Sequence, residues 1–136
     1  MKVLKQTAIS IFFVASNVIA GDLADANVED RKWIKYAEQA NGDVIFYDQS
    51  RVKSLGTLRH VWNGVRYKTS VMGASSFLSL LEIDCRKRTE KILESTFFTD
   101  KNWEKAAMQK DMAAKKKTQI TVGSATERLA EKVCIE

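Results

Sequence analysis

Glu82, Asp84 and Cys85 stand together in the run FLSLLEIDCRKRTEKILESTFF, residues 77–98. Two carboxylates beside a thiol are the residue types of acid–base hydrolysis, of a metal site and of thiol chemistry. The chain holds one further cysteine, Cys134, and one histidine, His60, so any Cys-His or Ser-His-Asp arrangement must use His60. Alternation decides against all three. In an extended strand Leu81, Ile83 and Cys85 share one face, while Glu82, Asp84 and Arg86 share the other. The thiol therefore lies on the apolar side and the acids on the polar side, where stacked acids opposite basic neighbours are ordinary sheet-surface chemistry. His60 sits in a β-prone run between Arg59 and Val61, and one histidine with a paired cysteine leaves a zinc ion short of ligands. The six glycines are scattered singly, so no phosphate-cradling loop is formed. We expect no catalytic residue, no metal and no cofactor.

The elements that position these residues follow from the rest of the chain. Lys2 and Lys5 precede an uncharged, apolar-leaning stretch over 7–20, the pattern of a secretory signal. Val18 and Ala20 suit a cut after residue 20, and Ala24 and Ala26 offer an alternative cut after Ala26. The stretch is too short to span a bilayer, and no cysteine lies near the cut to carry a lipid. The expectation is an exported product without a membrane span or lipid anchor, in the periplasm, at the cell surface or secreted. Its body is a single domain over 27–136. The full chain of 136 residues carries a formal charge of +5, and loss of 1–20 removes two lysines and no acid, leaving about +3. So mild a basicity licenses weak attraction to anionic surfaces and nothing more specific. In an exported chain, two cysteines and no third predict a Cys85–Cys134 disulfide, because the compartment is oxidising.

From residue 33 the pattern reads as strands. KWIKYAEQ and VIFYD flank Asn41-Gly42, a hairpin signal, and DQS after them reads as a turn. RVKSLG reads as a short connection. TLRHVWNGVRYKTSV is β-prone, with Asn63-Gly64 as either a bulge or a second tight turn, and MGASS is a small-residue loop. Strands follow to residue 85 and, after a basic turn at Arg86-Lys87, to about residue 98. Residues 99–117 leave a helix and a mobile excursion both open, and TQITV reads as a last short strand. Ser124 with Glu127 three residues on is a capping box. Leu129, Ala130, Val133 and Cys134 then share one helix face. The expected fold is α+β: an antiparallel sheet of about six strands with a C-terminal helix packed on one face and tied to it by the disulfide. Trp33 and Trp62 read as core or cross-strand partners. The one basic concentration is Lys105, Lys110, Lys115, Lys116 and Lys117 with Trp103 nearby, read first as a solvated loop and second as a candidate aromatic-plus-basic binding surface for a polyanion.

Taken in order, the Trp-bearing first strand, VIFYD, HVW, LLEIDC and GSATERLAEKVC resemble the surface-adhesin protein E family over roughly residues 33–134. That resemblance implies a small antiparallel sheet with a disulfide-tethered C-terminal helix, the bridge falling on Cys85 and Cys134. It also implies a non-enzymatic protein that binds a protein partner, such as the host matrix proteins laminin or vitronectin, while export itself argues against a nucleic-acid partner. A soluble periplasmic accessory protein binding another envelope component is the alternative. An exposed edge strand also offers a route to a homodimer.

Overall fold

The computed structural model describes residues 31–135, and the expected signal segment at 1–20 lies outside them. The strands are β1 (Trp33–Glu38), β2 (Val44–Asp48), β3 (Lys53–Leu55), β4 (Leu58–Val71), β5 (Ala74–Asp84), β6 (Thr89–Phe98) and β7 (Thr118–Gln119). One helix follows, α1 (Ala125–Val133). All pairings are antiparallel in the order β1-β2-β4-β5-β6-β7, with β3 beside β4. The sheet is a meander in which chain neighbours pair, except that β2 skips β3 and both pair with β4.

The expected connection at RVKSLG in fact contains a short strand, β3. β2 pairs with Asn63–Arg66 of β4, and β3 pairs with Leu58–His60 further along the same strand. Between them the spare residues coil into a 3-10 turn, Gln49–Arg51, capped by Asp48. Three residues of fully exposed strand leave no apolar alternation to read. The small-residue loop at 72–76 is also corrected. Val71 pairs with Ala74, so the loop shrinks to Met72-Gly73, both with positive φ (49° and 85°), the geometry of a type I′ hairpin turn. Asn63-Gly64 is neither bulge nor turn, since both residues stay in register with β2 and β5.

Each face of the sheet has its own core. Tyr47, Val61, Leu81 and Ile83 meet Leu129, Ala130 and Val133 of α1, with Ile120 and the half-buried Cys85 and Cys134 beside them. Residues one step out of phase, Trp33, Phe46, Trp62 and Leu78, form a second cluster with Phe98 and Trp103. The helix starts as its sequence requires: Ser124 Oγ accepts from the Glu127 N–H (3.2 Å), and Glu127 Oε1 accepts from the Gly123 N–H (2.9 Å). Its far end is stapled by the Cys85–Cys134 disulfide, with a Cα–Cα distance of 5.6 Å and a separation of 49 residues. On the chain-entropy picture a loop of that length stabilises by about 4 kcal/mol. Among the described residues no helix is long and apolar enough to cross a membrane.

Candidate binding surface

Residues 99–117 neither form a helix nor leave the sheet. Backbone bonds lay the segment along β6: Ser95 and Asp111 exchange N–H···O bonds (2.9 and 2.8 Å), Ala107 N–H donates to Phe97 O (2.8 Å), and Lys115 N–H donates to Ile92 O (2.8 Å). The turn that starts it is organised by Asp100, whose carboxylate accepts from the N–H groups of Asn102, Glu104 and Lys105. Partial burial raises the Asp100 pKa, but those bonds outweigh it and the carboxyl is held below its usual range.

Trp103 is where the expected surface fails. Its side chain is 3 % exposed and does not stand among the lysines. The indole stacks on Trp33 with ring centroids 4.5 Å apart, meets Phe46 edge-on at 5.9 Å, and donates from Nε1 to Phe77 O (2.9 Å). It plugs the face of the sheet opposite the helix. Gly64 makes the room: a Cβ there would stand 2.6 Å from the Trp103 ring. Arg66 closes the plug from outside, its guanidinium 4.7 Å from the Phe46 centroid and 4.9 Å from that of Trp103. Its Nε donates to Lys101 O (2.8 Å). A large apolar ring on a charged loop is driven inward by its own desolvation, and the lone signal for this in the sequence is the glycine within a strand.

The lysines remain outside but are not equivalent. Lys110 pairs with Glu94 (3.2 Å), and Lys115 with Asp111 (2.7 Å). The hydrogen bond from Lys115 holds the Asp111 carboxyl below its usual range. Lys105, Lys116 and Lys117 are exposed and belong to no ion pair within 4 Å. The segment therefore offers an exposed cationic strip along the β6 edge, without an aromatic platform.

The acids that open the run are accounted for separately. Glu82 pairs with His60 (3.0 Å) and, more loosely, with Lys91 (3.9 Å). Asp84 Oδ1 accepts from the backbone N–H groups of Arg86 and Lys87 (both 3.0 Å), which ends β5 in a turn. The bond from Lys87 lowers its pKa, burial opposes it, and the bond from Arg86 with the charges of Lys87 and Lys117 leaves the carboxyl below its usual range. Among the described residues no group of three or more His, Cys, Asp or Glu is placed to hold a metal ion.

Sequence inspection missed Asp48. Its buried carboxylate accepts from Lys32 N–H (2.9 Å), Ser50 N–H (3.0 Å), Ser50 Oγ–H (2.6 Å) and Arg51 Nε–H (2.7 Å). Burial pushes its pKa up, but these bonds outweigh it and bring it below the ordinary value. Arg51 in turn lies 5.1 Å over the Trp62 ring. This is scaffold chemistry that joins β1, β2 and the 3-10 turn.

The described residues form a disulfide-stapled antiparallel sheet closed by a C-terminal helix. Residues 33–135 match the family model for surface-adhesin protein E, and the chain belongs to that family. Its structure is similar to solved structures of Haemophilus influenzae protein E. One gives a TM-score of 0.62 at 12 % identity over 75 % of this chain and 86 % of that one. Another gives 0.61 at 12 % identity, covering 75 % and 83 %. The form from non-typeable H. influenzae gives 0.59 at 12 % identity, covering 75 % of this chain and 74 % of that one. At such identity the likeness is one of fold. No curated protein sequence matches the chain.

Proposed function

We propose that the chain is an exported, non-enzymatic binding protein that attaches to host extracellular matrix proteins of the laminin or vitronectin kind, using the edge over residues 99–117. The observation that carries this reading is the exposed cationic strip of Lys105, Lys116 and Lys117, laid along β6 and flanked by the paired Lys110 and Lys115. Membership of a surface-adhesin family supports it, and so does a disulfide, which persists in oxidising compartments outside the cytosol.

Immobilised vitronectin and laminin, probed with the native protein over a range of salt, test it directly. Binding should weaken as salt screens the exposed lysines and should fall strongly in the triple variant Lys105→Glu, Lys116→Glu, Lys117→Glu. Salt-insensitive binding that the variant retains would remove the strip from the interface. Absence of binding to both matrix proteins, together with protection from protease on intact cells, would move the protein to the periplasmic accessory role. A homodimer through an edge strand is read by light scattering of the same sample.

A further inference from the structure

At the far end of the molecule from the Met72-Gly73 turn, a cavity of about 340 Å³ opens beside the disulfide, lined by Gly56, Thr57, Arg59, Arg86, Arg88 and the two cysteines. Three arginines line one opening. Arg59 is nine-tenths buried, which is rare for an arginine without a carboxylate partner. Its Nε donates to Val133 O (3.0 Å), and one amino group donates to Gly56 O (2.8 Å) and Leu58 O (3.1 Å). The second amino group has no hydrogen-bond partner among the described residues. The carbonyl at the end of α1 offsets part of a charge at most, about half a unit. Among the described residues neither Arg59 nor Arg86 forms an ion pair, and Glu127 reaches Arg88 only at 4.0 Å. The carboxylate of Asp84 is engaged by the backbone of Arg86 and Lys87.

We propose that this cavity is a binding site for a tetrahedral oxyanion, a phosphate or sulfate group. Three guanidinium groups offer more donors than the two oxygens of a carboxylate can use. A tetrahedral oxyanion presents an additional oxygen or two and matches the planar forks of arginine. The buried Arg59 forms a rigid floor, positioned by three main-chain carbonyls, while Arg86 and Arg88 on the β5–β6 turn close over the bound group. The strip lysines Lys105, Lys116 and Lys117 do not line the site, and its occupancy does not depend on any matrix protein.

Isotopically labelled, oxidised full-length protein is titrated with sodium phosphate against sodium chloride at matched ionic strength. The expected result is saturable one-site binding, with amide shifts centred on Thr57, Cys85, Arg86, Arg88 and Cys134. The affinity should drop by about tenfold or more in Arg86→Gln/Arg88→Gln, two partly or fully exposed positions that leave Arg59 and the disulfide in place. Three outcomes overturn the proposal: shifts that do not saturate, shifts confined to residues 105–117, or acetate binding as tightly as phosphate. The same variant separates the sources of the group. Loss of binding to phosphatidylglycerol vesicles, relative to phosphatidylcholine vesicles, assigns a lipid headgroup, and loss of binding to a sulfated disaccharide assigns a sugar sulfate. Phosphate binding alone assigns the free ion.

Discussion

Gly64 and Trp103 are a matched pair, one residue absent of side chain so that the other can lie flat on the sheet. Gly64→Ala drives a methyl group to within 2.6 Å of the indole. The ring is held by Phe77 O, Trp33 and Phe46 and has little room to yield. The expected cost is about 1–3 kcal/mol, and Trp103→Ala, which empties the same space, should cost about 3–5 kcal/mol. Chemical denaturation of the two single variants and the double variant checks this. The double variant should be no worse than Trp103→Ala alone, because the clash has gone with the ring.

A second residue-scale prediction concerns Glu90. Half-buried under α1, it accepts from Thr126 Oγ1 (3.1 Å). Burial raises its pKa, and the Thr126 bond only partly offsets this. For a carboxyl whose folded-state pKa lies above its unfolded value, the folded state binds more protons between the two. Stability is then lost as pH rises through that interval. Glu90→Gln keeps an acceptor for Thr126 without the charge. The melting temperature should rise at pH 7, and the gain should vanish where Glu90 is protonated in both states. Asp48 has the opposite sign. Its lowered pKa gives stability that is complete above the ordinary carboxylate range and lost as pH falls below it. Asp48→Asn should therefore be destabilising at pH 7 and progressively less so in acid, as followed by thermal melts.

At the scale of elements, the parts readable in the sequence were those with a strict period or a fixed local signature. β1, β2, β4, β5 and β6 alternate over five or more residues, and α1 announces itself by Ser124 and Glu127. Replacing Ser124 by Ala should lower stability by about 1 kcal/mol, measurable by thermal melts, since the Glu127 N–H then loses its acceptor. β3 was not legible because its three residues are all exposed, so its pairing comes from β4 and not from its own pattern. The 99–117 segment was misread for a related reason. Its order comes from a few main-chain bonds to β6 and from one buried ring, neither of which leaves a periodic trace. The candidate surface was half legible: a row of lysines is visible in any sequence, but the direction in which Trp103 points is decided by a glycine far away in the chain.

For the whole molecule, two cores on opposite faces of one sheet divide the work of stabilisation. The helix and disulfide hold one face, and the Trp103 plug holds the other. Cys85→Ser should cost about 2–5 kcal/mol and lower the melting temperature clearly, while mass spectrometry of the unreduced native protein should find no free thiol. Because the lost bridge joins α1 to the end of β5, hydrogen exchange in the variant should accelerate first in α1 and last around Trp103. Equal acceleration on both faces would mean that the two cores unfold as one unit.

The position of the bridge also sets a chronology. Cys134 follows every strand and the whole of α1, so no covalent link can form until all of these have been synthesised. The meander must find its register unaided, and it is suited to doing so because successive strands pair with near neighbours. With only two cysteines in the chain, oxidation within one molecule has a single outcome. A catalyst of disulfide formation is then needed for speed, and a disulfide-reshuffling enzyme has nothing to correct.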